Sequence, residues 1–346
     1  MELKSLLALD VGGGTQDLLL WRADQPIENA VKMVLPAPTQ VAAARIRAAR
    51  AQGRPVFLAG WLMGGGAMHR TVDEHLAAGL KVYATPKAAA SLADDLEKVR
   101  AQGVVICQEA PPGAVSVPTS DLDLMAIGQA CACFEVQLPQ HLAVALCDHG
   151  HSPGFSNRKF RFQMWERFLL GGGRLADLIF DQAPPHMTRM AALKDQAPTA
   201  WLMDTAAAAA WGALQDPAVA RLAQDGVCVV NLGNMHTVGF LIKGQHVLGI
   251  YEHHTGCLDT FSLGDQVGRF IRGSLGDAEV FDSQGHGCAR LPQAPQGQAW
   301  PVVVTGPQRR LATGLGWTLA VPHGDVMLSG CFGLLAAAQT HQAHPA

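Results

Sequence analysis

The chain has 346 residues, which at roughly 150 residues per domain favours two domains or one large one. Hydrophobic residues make up 49% and charged residues 16%, well under the roughly 25% of an average soluble protein, so general disorder is excluded. A net charge of −3 without a long basic run excludes an electrostatic nucleic-acid binder, and the longest apolar stretch, around Ala206–Leu214, is about half of the roughly 20 residues that cross a bilayer.

In chain order, Ser5–Leu9 reads as a strand and Thr15–Trp21 as its antiparallel partner across a Gly12-Gly13-Gly14 turn. A helix is predicted near Gln40–Ala51, a strand at Pro55–Trp61, a helix near Met68–Ala78 and a strand at Lys81–Tyr83. A helix near Pro86–Ala101 follows, opened by a proline whose missing N–H costs nothing in a first turn, and then a strand at Val104–Cys107. Leu142–Cys147 is a buried strand ending at Asp148-His149-Gly150-His151, and Asp204–Leu214 is a helix of small residues. Val227–Leu232 and Thr237–Lys243 form a second hairpin around Gly233-Asn234, joined by a third strand at His246–Tyr251. A helix near Asp259–Arg272, a Gly/Pro/Gln-rich linker around Gly285–Gly297, a strand at Pro301–Thr305 and a helix near Val326–Gln339 complete the order. Such alternation implies helices layered on a mixed sheet.

The eight cysteines lie scattered through apolar segments and read as reduced, mostly buried thiols of a cytoplasmic protein. Cys131 and Cys133 form the one close pair, and this spacing excludes a zinc ribbon or a three-cysteine iron–sulfur site. The apolar run Leu6–Leu9 is too short for a signal peptide.

The most informative feature is a duplication, strand–glycine turn–strand at 5–21 and again at 227–243. In the first copy Asp10 stands at a strand end, followed by Gly12, Gly13, Gly14 and Thr15. Glycines without Cβ let backbone N–H groups converge on an anion such as a phosphate, and a carboxylate beside them can hold Mg²⁺. An ordinary hairpin is the alternative, although two glycines would satisfy it. No Lys-Ser or Lys-Thr follows at Walker spacing, and Gln16-Asp17 stand where a dinucleotide fingerprint needs its third glycine. The second copy carries Asn231, Gly233, Asn234, His236 and Thr237 in the same order, with His236 placed to donate to a phosphate. Val302–Thr305 with Gly306-Pro307 is a buried strand ending in a tight turn suited to a base and ribose.

This order resembles the actin-like ATPase superfamily of actin, Hsp70 chaperones and sugar kinases. Asp10–Thr15 is similar to its phosphate-1 hairpin, Thr205–Leu214 to the connecting helix, and Asn231–Thr237 to phosphate-2. Thr305–Gln308 is similar to the adenosine loop and Ser329–Ala338 to the second connecting helix. The resemblance implies an α/β, two-domain fold, a duplicated ribonuclease H-like unit with a nucleotide in the interdomain cleft. More narrowly, Cys147–Gly150, Ser156–Arg158 and Met327–Leu334 resemble a bacterial and archaeal family labelled pyruvate formate-lyase activating enzyme. That label requires a radical cluster on three closely spaced cysteines, which the chain lacks.

Two positions depart from the superfamily. Asn231 stands where phosphate-2 begins with aspartate, and an amide cannot act as a base. Pro307 replaces the second glycine of the adenosine loop and removes a donor. Asp148, after a buried strand, matches the place of the aspartate that takes the acceptor's proton in sugar kinases, although a turn capped by its own side chain explains it equally. Asn157, Arg158, Lys159 and Arg161 could hold an anion or form a solvated face. Glu252, His253, His254 and His286 have metal-ligand chemistry, but adjacent His253 and His254 on an extended segment point to opposite faces. The small faces Ala208/Ala209/Gly212 and Gly330/Gly333/Ala337 let two helices approach and slide, which suits a hinge beneath an interdomain cleft, although two tightly packed core helices would carry the same residues.

The expectation is therefore a first ATPase-like domain at 1–225, a second at 226–325, and a connecting helix and tail at 326–346. It binds ATP with Mg²⁺ near Asp10, for hydrolysis or phosphoryl transfer to a small acceptor oriented by Asp148. The rival is a non-catalytic, nucleotide-dependent activator of a partner protein. Neither nucleic acid nor membrane is an expected partner.

Overall fold

The computed structural model describes residues 3–294 and 296–343. Strands β1 (Ser5–Val11) and β2 (Thr15–Arg22) form the expected antiparallel hairpin, and β3 (Val31–Pro36) extends it. Leu6, Leu7, Ala8 and Leu9 are consecutive and all buried, because this sheet is covered on both faces. The chain then leaves for a small parallel sheet, β4 (Val56–Gly60), β5 (Val82–Ala84), β6 (Val104–Ile106) and β7 (Val115–Thr119), in the order β6-β5-β4-β7. It returns as β8 (Leu142–Leu146), β9 (Ile179–Phe180) and β10 (Trp201–Asp204), which gives a first sheet ordered β3-β2-β1-β8-β10-β9.

The second half repeats the plan. Strands β11 (Val227–Leu232), β12 (His236–Lys243), β13 (His246–His254), β14 (Gly287–Arg290), β15 (Val302–Thr305) and β16 (Thr318–Leu319) are ordered β14-β13-β12-β11-β15-β16. In each half an antiparallel meander of three strands is flanked at its first strand by a parallel strand, β8 beside β1 and β15 beside β11. A further parallel strand follows in each, β10 and β16. This is the duplicated, ribonuclease H-like α/β architecture of the actin-like ATPase fold.

Three helices position the site: α1 (Asn157–Leu170), α2 (Thr205–Ala213) and α3 (Ser329–Ala343). A Cβ at Gly333 would overlap the Ala208 carbonyl, and one at Gly212 the Ser329 carbonyl, so α2 and α3 cross backbone on backbone through the small faces. One apolar cluster runs from Leu6 and Ala8 through Ala208 and Leu334 to Val229 and Phe240, joining the two halves.

The structure differs from the sequence reading at identifiable places. The helix expected over Pro86–Ala101 is two, Pro86–Ala89 and Leu96–Ala101, because Asp95 caps the second by accepting from Glu97 N at 2.9 Å. Helix α1 shows no apolar stripe in the sequence because its buried face carries Arg161 one turn before Trp165. Strand β13 runs on to His254, and β14 occupies part of the expected linker. The 1–225 segment holds two sheets, and α3 packs back on β1 and β8 of the first half. Residues 344–346 of the expected tail lie outside the described residues. No helix among the described residues is long and apolar enough to cross a membrane.

Candidate functional site

The two glycine turns are built alike. Gly12 N donates to Thr15 O at 2.9 Å, and Gly233 N donates to His236 O at 3.0 Å. They also meet: a Cβ at Gly13 would lie 2.5 Å from Met235 Cγ, and one at Gly14 would overlap the Asn234 amide. The third loop grips the second turn, with Gln308 donating from Nε2 to Asn234 Oδ1 and from its backbone N to Leu232 O, both at 2.9 Å. Asn231 is paired with Thr305 across β11 and β15, and only a glycine at 306 leaves room for its Oδ1. Thr237 is buried with its hydroxyl 3.0 Å from that of Thr255, which itself donates to Gly233 O at 2.8 Å. Thr237 therefore braces the turn and lines neither cavity described below.

Beside the turns lies a cavity of about 60 Å³, whose lining includes Asp10, Thr15, Asp17, Thr205, Asn231 and Thr305 together with Gly306, Pro307 and Met327. Asp10 and Asp17 face each other across the β1–β2 hairpin. Burial raises Asp10 to about 7; the hydroxyl of Thr205, donating to Oδ1 at 2.6 Å, works against this, and the charge of Asp204 adds to it. Burial, then the charge of Asp10, raises Asp17 to about 8. Asp17 Oδ1 is buried without a hydrogen-bond partner. The half-buried Asp10 and buried Asp17 carboxylates, an orphaned oxygen and nearby hydroxyls form an oxygen donor set that fits a hard divalent cation such as Mg²⁺. Gly330 of α3 makes the space, since a Cβ there would overlap the Asp10 carboxylate. Asp17 has no site role in the sequence reading, yet the register set by the glycine turn places it opposite Asp10.

A second cavity of about 220 Å³ shares Gly12, Gly13, Asn231 and Gly233 with the first and extends to Gly65, Cys147, His149, Arg189 and His236. Arg189 donates to both oxygens of Asp121, at 2.5 and 2.7 Å, and to Cys147 O at 2.6 Å. Arg161, 2% exposed, anchors the floor. It donates to Glu252 at 2.8 and 3.0 Å, to Asp204 at 2.7 Å and to the Asp148 carbonyl at 3.0 Å. Burial alone would raise Glu252, but the Arg161 guanidinium holds it well below the usual carboxylate range.

Asp148 does not reach this cavity. Its carboxylate accepts from Gly150 N at 2.8 Å and from Met190 N at 2.9 Å, so both oxygens are engaged by amides. It caps the turn that presents Cys147 and His149, which corrects its expected place beside an acceptor. Arg158 and Lys159 lie over the Phe281 ring, and Arg158 also donates to Phe281 O and Gly285 O, tying α1 to the second half rather than lining either cavity.

His236 is turned toward a group of histidines. Its ring lies 5.2 Å from that of His149, 5.1 Å from His254 and 4.8 Å from His286, between centroids. His253 points away to Ser283 Oγ at 3.2 Å, as alternation along β13 requires. Burial, then the charge of Arg161, lowers His149 to about 4, and burial lowers His286 to about 2 against the pull of Glu252.

Known proteins bear on this arrangement. No curated protein matches the chain. Among solved structures, the ethanolamine utilization protein EutJ from Carboxydothermus hydrogenoformans is 12% identical, covering 96% of this chain and 90% of that one, with a TM-score of 0.31. A Bacteroides thetaiotaomicron protein described as having an actin-like ATPase fold and unknown function is 7% identical, at 97% and 96% coverage and a TM-score of 0.35. The activator of the 2-hydroxyisocaproyl-CoA dehydratase from Clostridium difficile, solved with bound ADPNP, is 9% identical, at 99% and 98% coverage and a TM-score of 0.27. One family model, described as "Putative pyruvate format-lyase activating enzyme (DUF1786)", matches residues 63–311, more than two thirds of the chain. The chain belongs to the DUF1786 family.

Proposed function

We propose that the protein binds Mg²⁺–ATP with the phosphates between the two glycine turns and the adenosine against Gly306, Pro307 and Met327. The observation that carries this reading is the pair of identically closed glycine turns facing each other beside the Asp10 and Asp17 carboxylates. Mg²⁺, held by Asp10 and Asp17, would neutralise phosphate charge. Both cavities are smaller than the roughly 300–1,000 Å³ of an ordinary ligand pocket, so ATP enters by parting the turns. The glycine crossing of α2 and α3 is the hinge, because small faces slide where interlocked side chains do not.

Hydrolysis or transfer to a small acceptor would take place in the larger cavity. A second reading, a nucleotide-dependent activator of a partner protein, is favoured by a specific observation. Asn231 is an amide, the Asp148 carboxylate is taken by two amides, and the Asp121 carboxylate is paired with Arg189. Neither aspartate is thus left poised toward an acceptor's proton.

The test is thermal unfolding with millimolar Mg²⁺–ATP. At a hundred times Kd the expected stabilisation is about 2.7 kcal/mol, with Asp10→Asn and Asp17→Asn losing its magnesium-dependent part. An unchanged Tm with ATP, ADP and GTP alike would overturn nucleotide binding. Binding without turnover, with or without acceptors, assigns the activator reading; turnover that Asn231→Asp improves in kcat rather than KM assigns the enzyme.

A further inference from the structure

Three histidines meet at one end of the second sheet. His236 opens β12, His254 closes β13 directly opposite it, and His286 immediately precedes β14. Adjacent strands of a single sheet thus carry all three. His286 is further fixed by its backbone N–H, which donates to Glu252 O at 2.9 Å, and only 1% of the residue is exposed. Neither of its ring nitrogens has a hydrogen-bond partner. The large majority of buried polar groups are paired; His75 shares this lack of partners but stands apart from other histidines, whereas His286 faces His236 and His254.

The ring spacing matches a metal. A metal–nitrogen bond of about 2.0–2.1 Å puts a ring centroid about 3.2 Å from the ion, and a tetrahedral angle then separates two centroids by about 5.2 Å. The three centroid separations are 5.1 Å for His236–His254, 4.8 Å for His236–His286 and 4.7 Å for His254–His286. The planes are inclined at 44°, 72° and 64°, so the rings are not stacked on one another. One ligand nitrogen from each ring lies within 4.8 Å of the other two.

The surroundings favour a cation. Arg161 contributes one positive charge and its partners Asp204 and Glu252 two negative ones, leaving a surplus negative charge beside the rings. Glu252 Oε1 lies 3.6 Å from His236 Nδ1, the side from which a carboxylate orients a metal-bound imidazole. On the cavity side the next donors are Cys147, with Sγ 3.6 Å from His236 Nδ1, and His149.

We propose that His236, through Nε2, His254 and His286 bind one divalent transition-metal ion of the zinc class. Imidazole donors suit zinc, cobalt, iron and nickel rather than magnesium, so this site is chemically distinct from the oxygen site at Asp10 and Asp17. All three ligands belong to the second half, and His236 also closes the second glycine turn, so the metal would sit directly beside the proposed phosphate site. The chain would then present a hard cation and a softer one on two sides of the same pair of turns.

Cobalt titration of the chelator-treated full chain, in excess Mg²⁺ to mask oxygen sites, tests this. The expected result is one Co²⁺ per chain with the intense visible d–d absorption of tetrahedral nitrogen ligation, displaced by one Zn²⁺. His254→Ala/His286→Ala should weaken binding by more than the roughly 10–100-fold that loss of an outer-shell partner costs, while Asp10→Asn and the exposed His246→Ala keep it. Circular dichroism establishes that the double variant is folded; should it unfold, the wild-type titration and His286→Asn decide. No visible absorption with wild type, or equal cobalt binding by wild type and the folded double variant, would overturn the site. Because Asp10→Asn abolishes only the magnesium-dependent response, failure of the nucleotide reading and failure of this one are read separately.

Discussion

At the residue scale, the buried charges decide most. Arg161 pairs with both Glu252 and Asp204 in a buried setting. Arg161→Ala should therefore cost about 3–5 kcal/mol, the range for removing one partner of a buried pair, measured by urea unfolding. The Asp10–Asp17 pair gives a pH dependence with a definite sign. Both folded values, about 7 and about 8, lie above the ordinary carboxylate value of 3.8, so the folded state binds protons more tightly than the unfolded one. Without a cation their contribution is fully present below about pH 4 and is lost as pH rises through about 7 to 8. Urea midpoints should thus fall between pH 6 and pH 8.5, Mg²⁺ should restore them most at the higher pH, and Asp17→Asn should flatten both effects. Identical magnesium responses in wild type and Asp17→Asn would show that the pair holds no cation.

At the element scale, the crossing of α2 and α3 is the feature least tolerant of change. The contact is between backbones, so no side chain can rotate away to admit a methyl group. Gly333→Ala should exceed the roughly 1–3 kcal/mol of ordinary overpacking, whereas Ala336→Gly, one turn away and only partly buried, should cost about 1 kcal/mol from helix propensity. Equal unfolding midpoints for the two variants would show that the helices separate freely. The small residues of this crossing were legible in the sequence because helical spacing puts them on one face. Helix α1 was not legible, since Arg161 replaces an apolar residue on its buried face, and its reason for being there is a pair of carboxylates 43 and 91 residues away.

At the scale of the whole molecule, the cysteines bear on the family's label. The converging groups of possible ligands among the described residues contain no cysteine but Cys147. A radical iron–sulfur cluster needs three thiolates at one point. Protein purified without oxygen should therefore contain no acid-labile sulfide and show no broad sulfide-to-iron absorption, even where a single metal ion is retained. Sulfide near four per chain would contradict this and restore the chemistry that the label names.

The duplication was readable from the sequence alone, because strands, glycine turns and returning strands are local patterns set by neighbouring residues. The two hairpins follow from that plan, and so does the place of Asp10 and Asn231 at corresponding strand ends. The partners of the buried groups were decided only in three dimensions. Asp148 looks like a base in sequence and is a turn cap in space, because the amide of Met190 comes from 42 residues away. The sequence groups His254 and His286 with Glu252 and His253 and leaves His236 with the phosphate turn, and alternation rightly separates His253 from His254. Only the pairing of β12, β13 and β14 sets the three rings about 5 Å apart, since register between strands is a non-local property.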